Sequence, residues 1–77
     1  MENERRKLKG WTQEVLECLQ EIDEEDFTLQ DVYQFEERLA KKYPKNFHVK
    51  DKIRQQLQIL RDERYVAFVG NGRYRKL

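Results

Sequence analysis

Apolar residues recur along the chain in three clusters at helical spacing, and the pattern then gives way to a short β-type stretch. Trp11, Val15, Cys18 and Ile22 share one stripe at 3.6-residue spacing, with Leu19 beside it. That stripe predicts a first helix over residues 11–22. Gly10 separates it from a charged, flexible leader over residues 1–9. The run Asp23-Glu24-Glu25-Asp26 reads as a solvated loop, because carboxylates at a helix C-terminus oppose the macrodipole. Phe27-Thr28 suits a very short strand. Thr28 with Asp31 three residues on forms an N-cap and a favourable first-turn acid for a second helix over residues 29–42, closed by Tyr43-Pro44. Its apolar side comprises Leu29, Val32, Tyr33, Leu39, Ala40 and Tyr43, with Phe35 at the edge. Glu36 projects into that side, where a hydrogen bond to an Arg or Tyr would satisfy its carboxylate.

Asn46 is placed to cap a third helix over residues 48–63, in which Val49, Ile53, Leu57 and Leu60 face the core. His48, Asp51, Gln55, Gln58 and Asp62 project the other way, with Lys52 at one margin and Lys50 and Arg54 at the other. Residues 65–69 have the β-branched and aromatic content of a strand. Gly70-Asn71-Gly72 tolerates positive φ, and residues 73–77 return as a second strand. A hairpin directly after the third helix is a wing. The expected fold is therefore α+β: a small winged helix-turn-helix over residues 10–77, with three helices and a C-terminal β-hairpin wing.

Composition narrows the chemistry. Seventy-seven residues make one domain with a small core. Charged residues at 40% outnumber hydrophobic ones at 38%, yet the clustering of the latter argues against disorder beyond the leader. Cys18 is the single cysteine, so no internal disulfide or Cys-based zinc site forms, and its place in the stripe makes it an apolar filler. His48 is the single histidine and has no second His or Cys to complete a metal site. The acidic loop lacks the alternating ligand spacing and turn glycine of a calcium site. No stretch approaches the ~20 apolar residues that span a bilayer, and the start has no secretory apolar run. A cytoplasmic binding domain is expected, with no cofactor, no membrane association and no nucleophile–base pair or phosphate loop for catalysis.

Charge distribution supplies a partner. The formal net charge is only +1, but residues 46–77 hold eight Lys and Arg against three acids, and residues 1–26 hold four against nine. One end of the molecule attracts polyanions and the other repels them. In a groove-reading helix, N-terminal residues reach base edges while neighbouring cations hold phosphates. Lys50, Lys52 and Arg54 are candidate phosphate clamps, and His48, Asp51 and Gln55 are candidate base contacts. Asn71, Arg73 and Arg75 on the wing can reach the backbone or the minor groove, while Lys41, Lys42 and Lys45 extend the positive surface. A monomer on double-stranded DNA is the expected state. The rival is a protein-interaction winged helix, with an acidic partner on the basic half or a like domain against Tyr65 and Phe68.

The segments GWTQEVLECLQ, FTLQDVYQFEERLAKKYP and KIRQQLQILRDERYVAFVGNGRYR resemble the C-terminal winged-helix domain of the Dpn-type methyl-directed restriction endonucleases, the Dam-replacing family. The resemblance spans nearly all of residues 10–77. It implies a prokaryotic, nucleoid-associated protein and a domain that reads adenine-methylated GATC duplex beside a separate PD-(D/E)XK nuclease domain. Lys52, Ile53, Arg54, Gln55 and Gln56 match the family's helix block, and Gly70, Gly72, Arg73 and Tyr74 its wing. Of these, Ile53, the glycines and Gln56 are expected to serve the fold. Arg64 departs from the family, which commonly has Gly ending the third helix in a left-handed cap. No nuclease constellation occurs in the chain, so binding without cleavage is implied, fused to or associated with a nuclease. Reading N6-methyladenine requires an acceptor for the one remaining amine proton, for which Asp51 or Gln55 serves. It also requires an apolar contact for the methyl, assigned to Val49, His48 or an aliphatic stem. A DNA-binding domain without methyl preference, in a restriction or regulatory protein, is the alternative within this class.

Overall fold

The computed structural model describes residue 8 and residues 10–77. Its elements run α1 (Trp11–Gln20), β1 (Asp26–Thr28), α2 (Leu29–Tyr33), α3 (Glu36–Lys42), α4 (Val49–Asp62), β2 (Val66–Gly70) and β3 (Arg73–Lys76). The three strands form one antiparallel sheet in the order β1-β3-β2, so the wing hairpin is completed by the strand that precedes the helix-turn-helix. This is a winged helix-turn-helix of the α+β class. The leader expected over residues 1–9 lies, Leu8 apart, outside the described residues, and Leu8 packs against the core.

The core joins Val15, Cys18 and Leu19 of α1 to Val49, Ile53, Leu57 and Leu60 of α4, closed by Val32, Leu39, Phe27 and Val66. All four apolar positions assigned to the third helix are buried, as the 3.6-residue stripe requires. Cys18 is fully buried, and loss of solvation raises its thiol pKa. Trp11 stacks on Tyr43 with centroids 4.3 Å apart, pinning the start of α1 to the turn that leads into α4.

The second helix is divided. A continuous helix would bond the Phe35 N–H to the Asp31 carbonyl. Instead the Gln34 side-chain amide donates to that carbonyl at 2.7 Å, and the Phe35 N–H turns to Val32 O at 3.0 Å. The tighter bond interrupts the ladder at Gln34–Phe35 and starts α3. At its front end Thr28 and Asp31 form a complete capping box, each side chain accepting from the other residue's backbone N–H. Asn46 does not cap α4 itself. Its Oδ1 accepts the His48 N–H at 2.8 Å, so the N-cap position falls to His48. Glu36, expected to be satisfied inside by Arg or Tyr, is about half exposed and its carboxylate lies 3.9 Å from Lys50 Nζ.

Arg64 sits at φ 68°, the left-handed region. The Tyr65 N–H reaches Leu60 O at 2.8 Å and the Arg64 N–H reaches Arg61 O at 3.0 Å, which is a Schellman closure with Arg where glycine is usual. The arginine therefore adopts the conformation that glycine would, with a backbone strain that glycine would not carry. The hairpin then turns through Asn71 and Gly72, both at positive φ, which matches the right-handed strand twist.

Candidate nucleic-acid interface

The outward side of α4 is built by subtraction: its apolar residues are consumed by the core, and what remains faces solvent. His48, Asp51, Arg54, Gln55 and Gln58 are exposed, whereas Gln56 is buried and its Oε1 accepts the Thr12 hydroxyl at 2.5 Å. Gln56 is thus a strut between α4 and α1. Asn46, His48, Asp51, Lys52 and Gln55 line one shallow concavity, and Asp51, Arg54, Gln55 and Gln58 line the next. Because Asp51 and Gln55 belong to both, five of the six helix candidates form one continuous strip of acceptors, amide donors and cations. Lys52 and Arg54 make no ion pair among the described residues.

Lys50 stands on the margin of this strip. Its ammonium lies 5.2 Å over the Tyr33 ring as well as near Glu36, so two neighbours hold it towards α2 and α3. Of the lysines ahead of α4, Lys42 is engaged by Glu14 at 2.8 Å, and that pairing raises its pKa. Lys41 and Lys45 are exposed.

The wing divides its candidates. Tyr74 faces inward, between Phe27 at 5.5 Å and Phe68 at 5.6 Å, and burial raises its phenol pKa against the nearby charges of Arg61 and Arg54. Alternation along β3 turns Arg73 and Arg75 to the opposite, solvent face. There Arg75 meets its cross-strand partner Asp26 through two hydrogen bonds, Nε to Oδ1 at 2.8 Å and Nη2 to Oδ2 at 3.3 Å. The guanidinium holds the Asp26 carboxyl below its usual range, and Glu24 and Glu25 border the same hollow. Arg75 therefore belongs to the acidic end of the molecule and not to a cationic wing surface. Asn71 and Arg73 are exposed at the turn. The turn is fixed to the helix-turn-helix, since the Leu29 N–H, the first amide of α2, donates to Gly72 O at 2.8 Å.

The structure decides the place of two apolar residues at the start of α4. Val49, expected in the core and also offered for the methyl contact, is only 6% exposed, so the core claims it and the methyl contact does not. Phe47, in the turn ahead of α4, is 87% exposed. The available signal was an aromatic between two polar residues, off every apolar stripe.

A helix-turn-helix with an exposed amide- and cation-bearing second helix and an anchored wing is the frame of a duplex reader, and residues 7–76 match the family model of the Dam-replacing HTH domain. The chain belongs to the Dam-replacing HTH domain family. It is a DNA-binding helix-turn-helix domain, and its partner is double-stranded DNA. Among the described residues of this Dam-replacing HTH domain no helix is long and apolar enough to cross a membrane, and no group of three or more His, Cys, Asp or Glu is arranged to hold a metal ion.

Proposed function

We propose that this Dam-replacing HTH domain reads N6-methyladenine in a GATC-like duplex through α4 and the wing, binding without cleaving. The observation that carries the reading is the strip along α4, where the acceptors Asp51 and Gln55 lie between the cations Lys52 and Arg54. N6-methylation leaves adenine one amine proton in the major groove, and a carboxylate or amide oxygen can accept it. Lys52 and Arg54 clamp phosphates on either side, with Lys50 at the margin and His48 at the leading end. Asn71 and Arg73 reach the backbone or the minor groove from the wing. Residues 10–77 act as one monomeric unit, and a nuclease domain, fused or associated, supplies any cutting at the nucleoid.

Burial of one methyl gives ~0.8 kcal/mol, or about fourfold in affinity, so a single domain discriminates modestly. Titration of fully methylated, hemimethylated and unmethylated GATC duplexes at one salt concentration tests the reading. Graded affinities in that order are expected. Equal affinities for all three would remove methyl reading and leave general DNA binding in place.

A further inference from the structure

The apolar side chains in the first two turns of α4 are unavailable to a ligand. Val49 is 6% exposed and Ile53 is fully buried. Immediately before them Phe47 presents nearly its whole ring to solvent. Its flanks are not loose. The Asn46 N–H bonds Tyr43 O at 3.0 Å, closing a turn with Pro44 at its second position, and Asn46 Oδ1 holds the His48 N–H. The next turn down, Tyr43 is stacked on Trp11. The backbone that carries the ring is thus pinned at both ends, and its neighbours Asn46 and His48 line the concavity that holds Asp51, Lys52 and Gln55.

A phenyl ring kept in water forfeits the stabilisation that its burial would give, and contact with an apolar group on a ligand would recover part of it. Lys45 lies two residues before the ring, and Lys52 lines the adjoining concavity together with Asp51. An anionic duplex fits this setting better than an acidic-poor apolar protein surface. In the major groove the apolar groups on base edges are methyls: the thymine C5-methyl and, in modified DNA, the adenine N6-methyl.

We propose that Phe47 is a specificity-determining residue that packs its ring on a major-groove methyl at the site read by α4. The inference rests on the duplex-reading function above and assigns to Phe47 the apolar half of that reading, with Asp51 and Gln55 as the polar half. Removing the ring leaves the phosphate contacts of Lys52 and Arg54 intact, so binding persists while methyl preference is lost.

The test compares the wild-type chain with Phe47→Ala and Phe47→Leu by fluorescence anisotropy at fixed salt. The duplexes carry GATC, N6-methylated GATC, or each of these with deoxyuridine in place of the thymine. The expected result is an about fourfold loss for Phe47→Ala on the duplexes that carry the contacted methyl, partial retention for Phe47→Leu, and no loss on the duplexes that lack it. The arm on which wild type and Phe47→Ala diverge identifies the source as thymine or methyladenine. Thermal melts confirm that the variants fold. Phe47→Ala with unchanged affinity on every duplex would overturn the inference while leaving DNA binding standing. An equal loss on all four would reduce Phe47 to a general contact and also overturn it. Loss of self-association with DNA affinity unchanged would assign the ring to a protein contact instead. Absence of any binding by the wild-type chain would remove the duplex-reading function itself.

Discussion

Single residues set both the stability of the frame and its pH response. Arg64 carries a left-handed backbone that costs an L-residue about 1–2 kcal/mol, of which glycine's entropy would return about 0.5–1. Arg64→Gly should therefore recover about 0.5 kcal/mol of backbone strain in urea denaturation, set against what the arginine's own contacts contribute. A lowered midpoint would mean that the arginine side chain contributes more than the strain removes. Thr28 holds the capping box, and Thr28→Ala should cost about 1 kcal/mol by the same measurement. Cys18 ionises at higher pH in the fold than in an open chain, because burial disfavours the thiolate. The native state keeps its full stability below the ordinary thiol value and loses it as pH rises from about 8.5 through the native value. Cys18→Ala should flatten that alkaline decline, and a slope identical to wild type would contradict this origin. Asp26 works in the opposite direction. Arg75 depresses its pKa, so the stabilisation of this pair is present above the ordinary carboxylate value and lost as pH falls through the native one.

At the level of elements, patterning carried what periodicity can encode. The stripes of α1 and α4, the capping box and the wing turn were all legible, because each depends on local spacing or on residues that favour one backbone region. The break between α2 and α3 was not, since no Gly or Pro marks it and its cause is a side-chain amide displacing a backbone donor at Asp31. The partners of Glu36, Lys50 and Arg75 were equally hidden, because each lies on another element and the ion pairs are set by tertiary placement. Strand alternation would have separated Arg75 from Tyr74, but only the pairing of β1 with β3 puts Asp26 opposite that arginine. The wing's attachment is likewise a long-range feature. Gly72 has φ 73° and its carbonyl takes the first amide of α2, while the nearest atom to an added Cβ, Leu29 Cβ, is 4.0 Å away. Gly72→Ala is thus opposed by backbone strain and not by lack of room, and a destabilisation of about 1 kcal/mol is expected. Hydrogen exchange at the Leu29 amide should speed up in the same variant, and unchanged protection there would show that the wing tip holds without this turn.

The chain distributes its charge unevenly, and in the proposed reading that division orients it on a duplex. Glu24, Glu25 and Asp26 gather around Arg75, while the helix strip presents Lys52 and Arg54. In that reading a polyanion is steered to α4 and away from the loop. Each cation that meets a phosphate releases counterion, so affinity falls steeply between ~50 and ~200 mM salt, and each lost contact lowers the salt slope by about one. The most direct measurement is the dependence of duplex affinity on salt for wild type, Lys52→Ala/Arg54→Ala and Arg75→Ala. The double substitution is predicted to weaken binding and flatten the slope by about two, with the Arg75→Ala slope matching wild type. A wild-type affinity indifferent to salt, or a slope that Arg75→Ala flattens as much as the helix substitutions do, would contradict duplex binding through α4.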